Sequence, residues 1–182
     1  MAKKPKKPKK PKILTARVTF LEMSKRHFHN MPMPSRPRLA LMRAENIPVA
    51  FYRYLYEQVG RAHHWELRRK MSDEELDKII NAETTQIDVL YADGCAAGFF
   101  ELDMKEMPGA LELAYFGICS THTGMGIGKW FLASAIEAAW DHDPEKIKVH
   151  TNTLDHPAAL GLYQRLGFEP VGIGEETVEV WD

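Results

Sequence analysis

ELAYFGICSTHTGMGIGKWFLASAIEAAW, residues 112–140, decides the fold. Its first third is an apolar-rich run that reads as a strand. Glycine then recurs at every second position (Gly124, Gly126, Gly128), and an amphipathic helix follows with Phe131, Leu132, Ala135, Ile136, Ala139 and Trp140 on its apolar face. A strand feeding a glycine-rich turn into a helix is a phosphate-binding device. Glycine lacks the Cβ that would hold backbone N–H groups away from an anion, and the helix N-terminus adds partial positive charge and unpaired donors.

Spacing decides which phosphate ligand is meant. A nucleotide P-loop needs a Ser or Thr after its lysine, whereas Lys129 is followed by Trp130, so there is no hydroxyl for magnesium. The dinucleotide fingerprint needs Gly-x-Gly-x-x-Gly early in a βαβ unit. Here the pattern is Gly-x-Gly-x-Gly, far along the chain, without an acidic residue ending a second strand at the right distance.

TGMGIG (123–128) resembles the Gln/Arg-x-x-Gly-x-Gly/Ala loop of the GNAT acyltransferase superfamily, which wraps the pyrophosphate of acetyl-CoA. Downstream, KIKVHTNTLDHPAALGLYQRLGFEPVG (146–172) resembles the segment that follows in that superfamily: a strand ending near an Asn, then Asn-x-x-Ala-x-x-Leu-Tyr-x-x-x-Gly-Phe. Asn152 ends the strand, and Ala159, Leu162, Tyr163, Gly167 and Phe168 fill the helix pattern. Thr123 stands where Gln or Arg is usual, and His156 where the helix-start Asn is usual. The resemblance covers roughly the last hundred residues by motif and the preceding part by architecture. It implies an α+β fold with a mixed, mostly antiparallel central sheet flanked by helices.

The 182 residues fit one domain with a sizeable core, and 45% hydrophobic content is ordinary for a soluble globular chain. No apolar run reaches membrane-spanning length and no h-region follows the N-terminal lysines, so neither secretion nor membrane insertion is expected. Two cysteines, Cys95 and Cys119, make neither a disulfide framework nor a metal knuckle and suit a cytoplasmic location. None of the eight histidines has ligand spacing, so no metal is expected.

The net charge of −1 hides an asymmetry. Seven of the 24 basic residues lie in residues 1–12, leaving 17 against 25 acidic residues, a net of −8 for the remainder. An acidic body favours a cationic amine through long-range attraction, though a charged solvated surface has the same composition. MAKKPKKPKKPK (1–12) is low-complexity and reads as a disordered tail. It is either a solubilising segment or an electrostatic arm for nucleic acid, membrane lipid or an acidic partner. Residues 13–182 read as a single domain.

Along that domain a short strand is expected over 16–23, then a proline-broken loop, then the first strand of the acyltransferase core at 38–45. A helix begins at Pro48 and should stop at Gly60. In RAHHWELRRKM (61–71), which on the resemblance lines the acceptor side, Trp65, His63 and His64, together with Tyr56, either shape an amine pocket or pack locally. Ser72 and Glu75 form a capping box opening a helix to about Ala82. A hairpin turns at Asp93-Gly94, and a third strand runs over 111–119. A strand over 147–151, a helix over 157–166 stopped by Gly167, and a pair of strands over 168–171 and 177–181 complete the chain.

For chemistry the resemblance implies acetyl transfer from acetyl-CoA to a primary amine of a small molecule or protein. The loop from Thr123 through Gly124, Met125, Gly126, Ile127 and Gly128 to Lys129 would hold the pyrophosphate. Backbone groups near Ile118 and Cys119 would bind the pantetheine arm and polarise the thioester. Asn152 would bond the pantetheine amides, with His156 as a second amide contact. Glu112 would take the amine proton directly or through water, with Glu101 as the alternative base. Strand alternation puts Glu112 on the side of Ala114, Phe116 and Ile118. Tyr163 would protonate the departing thiolate. The competing reading is a coenzyme A-binding regulatory or nucleic-acid-associated module without turnover; monomer and homodimer are both compatible.

Overall fold

Strands and helices interleave along the chain: β1 (Ile13–Met23), β2 (Leu39–Arg43), α1 (Val49–Gly60), α2 (Asp73–Ile80), β3 (Thr85–Ala92), β4 (Cys95–Asp103), β5 (Leu111–Ile118), α3 (Gly128–Trp140), β6 (Ile147–Asn152), α4 (Ala159–Arg165) and β7 (Glu169–Glu179). The structure, a computed structural model, describes residues 12–181. The tail read over residues 1–12 lies outside the described residues except for Lys12.

Local chemistry accounts for the element ends. Asp93 and Gly94 both have positive φ, which matches the right-handed twist of the β3–β4 hairpin. Ser72 and Glu75 satisfy each other's backbone N–H groups in a complete capping box at the start of α2. Gly167, at φ +101°, ends α4. These elements assemble into one seven-stranded sheet in the order β2-β3-β4-β5-β6-β1-β7. Among the described residues, only β5 and β6 pair in parallel. The sheet is mixed and mostly antiparallel, as the sequence implied.

The two faces bury separate cores. On one, α3 sends Phe131, Leu132, Ala135, Ile136 and Ala139 against Phe100, Leu102, Leu111, Leu113 and Ile147. On the other, α1 and α2 cover Ile87, Val89 and Phe99 with Tyr52, Leu55, Val59, Leu76 and Ile80. Each large apolar side chain buried in this way contributes about 1.5–3 kcal/mol, so the glycine loop is anchored by a firmly seated α3.

One expectation is met by another route and two are corrected. First, α1 ends at Gly60 as expected, but without a positive φ there. Its φ is −86°, and the chain continues through a short turn to His64, which takes the left-handed conformation at φ 57°. Glycine is needed at 60 for a different reason: a Cβ there would lie 2.6 Å from the Trp65 ring. Second, the C-terminal residues form one continuous strand rather than a pair. Their partner is β1, which lies between β6 and β7 and pairs with β7 from Ile13↔Glu179 to Glu22↔Glu169. GIGEE (172–176) looks like a turn, yet Phe20 of β1 lies over Gly172 and Gly174 and supplies the packing those residues lack. Third, the β4–β5 register slips between Glu101 and Leu102, whose partners are Tyr115 and Leu113. Ala114 is therefore an extra residue, and a bulge reverses which side chains face which side. Leu111 and Leu113 join the α3 core before it, and Phe116 and Ile118 pack there after it. Glu112 accordingly shares its face with Tyr115 and Gly117, not with Phe116 and Ile118.

Candidate active site

The parallel pairing of β5 with β6 covers only Leu111↔Ile147 and Glu112↔Lys148. Beyond it the strands part, while β5 runs on to Ile118 and β6 to Asn152. The gap opens into a cleft of about 630 Å³ that reaches both faces of the sheet.

At one end lies the glycine loop. Gly124 and Gly126 have φ of +77° and +75°, and an added Cβ at either would meet nothing within 4 Å, so their backbone borders open space. The N-terminus of α3 has no side-chain cap bond and no acidic residue in its first turn. Uncapped N–H groups beside bare glycine backbone are suited to a diphosphate. His122 through Gly128 line this end. Thr123 turns its hydroxyl back to the Ser120 carbonyl, at 3.0 Å, and so braces the loop. Lys129 is exposed and outside the cleft lining.

Along the parted strands, the amide expected at Cys119 is already engaged. Its N–H donates to the Ala97 carbonyl at 2.8 Å, and its carbonyl accepts from His122 at 2.8 Å. The thiol is buried, and burial pushes it up to about 11. Successive N–H groups of a strand point to alternate edges. With Cys119 directed at β4, the amides of Ile118 and Phe116 are directed at the gap, and both residues line the cleft.

Asn152 lines the cleft, yet its side chain serves the protein. Nδ2 donates to Glu176 at 2.6 Å, and Oδ1 accepts from the Leu154 amide at 2.7 Å. These bonds tie Asn152 into the turn after β6 and to β7. His156 accepts the Ala158 amide at Nδ1, 3.2 Å, in the turn that leads into α4. Tyr163 is buried between Phe116 and Phe168 and lines the cleft. Burial raises its phenol well above the ordinary tyrosine value, so the O–H is a neutral donor.

The opposite end is aromatic. Trp65, Tyr56 and Tyr115 are in mutual contact, with ring centroids 5.1–5.5 Å apart. Asp155 accepts the Trp65 indole N–H at 3.3 Å, and His63 Nδ1 meets the Leu154 carbonyl at 3.0 Å, which ties this wall to the turn after β6. Trp65, Tyr56, His63 and His64 all line the cleft, and Trp65 and Tyr56 also pack on each other. Beneath the aromatic wall, Glu101 is fully buried. Its two oxygens accept Tyr52 Oη and Arg68 Nη2, each at 2.5 Å. Burial raises the Glu101 carboxyl, opposed by Arg68, and that carboxylate in turn raises the guanidinium against its own burial. With both oxygens occupied and no part in the cleft lining, Glu101 is a structural anion rather than a base.

Glu112 is half-buried at the point where the strands part, and it pairs with His150 Nδ1 at 3.3 Å. The hydrogen bond from His150 holds its carboxyl below the usual range, opposed by burial. Sequence reasoning missed His150, Tyr115 and Arg68. For Arg68 a signal existed, since an acid within apolar β4 demands a buried cation.

Comparison with known proteins fits this geometry. A family model described as the Acetyltransferase (GNAT) family matches residues 45–168, and the chain belongs to that family. Similar folds occur in a putative GNAT-family acetyltransferase from Novosphingobium aromaticivorans and in a tandem GNAT protein of the clavulanic acid biosynthesis pathway. The first has TM-score 0.58 and 16% identity, covering 92% of this chain and 65% of that one. The second has TM-score 0.61 and 18% identity, covering 92% and 54%. This chain thus spans less than two thirds of either. Spermidine N-acetyltransferase from Vibrio cholerae, solved with CoA and spermine, is similar over 78% of this chain and 95% of its own (TM-score 0.60, 18% identity). No curated protein matches the chain. Among the described residues, no cluster of three or more His, Cys, Asp or Glu could hold a metal, and no helix is long and apolar enough to cross a membrane.

Proposed function

We propose that the chain is an N-acetyltransferase that moves an acetyl group from acetyl-CoA directly to a primary amine of a small molecule or protein. One observation carries the reading: a glycine loop with an uncapped helix N-terminus opens into the same cleft as a gap between two parted strands. Bound acetyl-CoA would supply the activated thioester. Amides of Gly124 to Gly128 would hold its diphosphate, and those of Phe116 and Ile118 would stabilise the oxyanion. Glu112 draws the amine proton directly or through water, and Tyr163 donates to the departing thiolate. The aromatic wall of Trp65, Tyr56 and Tyr115 faces the acceptor and favours a cationic amine. Residues 13–182 act as one domain, and the free thiols of Cys95 and Cys119 suit a reducing cytoplasm.

The role of Tyr163 gives the first test. Tyr163→Phe keeps the ring contacts with Phe116 and Phe168 and removes only the donor. Turnover should fall about 100-fold with acetyl-CoA affinity changed less than about threefold. Steady-state thiol release together with calorimetric titration checks this, and unaltered turnover would remove Tyr163 from the acid role.

A further inference from the structure

We infer that His150 is the catalytic residue that accepts the acceptor's proton, with Glu112 as the positioning residue behind it. The inference rests on the acetyl-transfer reading and refines the place of Glu112 within it.

The two side chains meet at the fork of the sheet. Glu112 is in the last parallel pair of β5 with β6, and His150 lies two residues beyond its partner Lys148, where β6 has already left β5. Both line the cleft. Glu112 approaches Nδ1 at 3.3 Å, and among the described residues no hydrogen bond is made to Nε2. A carboxylate on Nδ1 fixes the tautomer with its proton there and leaves the Nε2 lone pair for a substrate. The ring is also held from behind, with its centroid 6.2 Å from that of Phe20, its register partner on β1. The insertion of β1 beside β6 thus has a consequence for the site.

Exposure separates the two groups. The His150 side chain is 43% exposed and that of Glu112 35%, and Glu112 already has one oxygen on the imidazole. The charged groups around the pair are Glu176 from β7, Asp155 from the turn after β6, Lys148 on β6 itself and Asp103 on β4. Lys148 is engaged by Glu106 at 2.6 Å, so the surroundings of His150 are acidic. Glu112, first through its hydrogen bond, raises the imidazole above the ordinary histidine value, opposed by burial.

The step balances. The ammonium proton of the acceptor passes to Nε2. The freed nitrogen lone pair forms the C–N bond as the thioester C–S bond breaks. The nitrogen's second proton replaces the one that Tyr163 gives to the thiolate sulfur, and His150 returns its proton to water.

The test compares the full chain with His150→Gln and Glu112→Gln in acetyl-CoA-dependent thiol release across pH, with spermidine first in an amine panel. An imidazole base works only when neutral, so the rate of the unaltered chain should rise through a limb above the ordinary histidine value. His150→Gln should lose that limb and about 100-fold in rate. Glu112→Gln should keep the limb but shift it to lower pH, because the group that raises the imidazole is gone. A readout independent of turnover is the imidazole ¹⁵N titration of His150, which should move down in Glu112→Gln. If His150→Gln retains the limb and most of the rate, the proposal is overturned while acetyl transfer stands. If no amine stimulates thiol release from the unaltered chain, the reading beneath it fails too.

Discussion

Arg68→Met is expected to lower the folding stability of this chain by about 3–5 kcal/mol, the usual consequence of removing one partner from a buried ion pair. Glu101 is fully buried, and Arg68 is its only charged partner among the described residues, with Tyr52 as the second donor. Methionine fills the space but leaves a carboxylate with one hydrogen bond in an apolar setting. The guanidinium also lies 5.4 Å from the centre of the Tyr115 ring, so the substitution loosens the acceptor wall. The deficit should depend on pH in a direction set by linkage. Without Arg68, the folded-state pKa of Glu101 rises further above its unfolded value, so the folded state binds the extra proton more tightly. The variant should therefore recover stability relative to the parent as pH falls, and lose it as pH rises through the carboxylate range. Urea denaturation of both chains at several pH values measures this. Arg68→Met combined with Glu101→Gln should recover much of the loss, since the amide oxygen still accepts from Tyr52. A single variant as stable as the parent at neutral pH would show that the pair does not hold α1, the segment after it and β4 together.

Gly126→Glu should weaken acetyl-CoA binding by at least about 100-fold. Two effects combine. A side chain at φ +75° costs about 1–2 kcal/mol in the loop conformation, and the new carboxylate would stand among the amides that would hold a diphosphate. Loss of two charge-assisted hydrogen bonds alone removes about 3 kcal/mol or more, which is two decades of affinity. Among the described residues, none beyond the two chain neighbours comes within 4 Å of the added Cβ, so the fold should survive with a thermal midpoint within a few degrees of the parent. Calorimetric titration with acetyl-CoA beside a melting curve separates the two quantities, and undiminished affinity would remove the loop from the binding site.

The sequence disclosed the parts of this molecule governed by short-range rules. The glycine loop, the Asp93-Gly94 hairpin and the Ser72 capping box are each written in a few adjacent residues whose backbone chemistry has one economical solution. The parts that stayed hidden depend on partners far along the chain. Nothing local says that β1 inserts between β6 and β7, because that pairing joins residues more than 120 positions apart, from Val18↔Asn152 to Ile13↔Glu179. The bulge at Ala114 is equally silent, since the residue is as compatible with regular pairing as with a slip. That slip sets Tyr115 and Gly117, rather than Phe116 and Ile118, on the face that Glu112 shares with His150. His150 itself sits in a strand of ordinary alternation, and only the parting of β5 from β6 turns it into a cleft residue. Arg68 was concealed in a basic run that resembles a solvated surface, although the acid at 101 called for it.

Calorimetric titration of acetyl-CoA into the full chain, followed by thiol release over an amine panel, probes most directly whether this cleft is an acetyl-transfer site. Saturable one-to-one binding in the micromolar range, with thiol release that rises when a suitable amine is added, is the expected result. Absence of binding would contradict the site, and binding without amine-stimulated release would contradict the transfer.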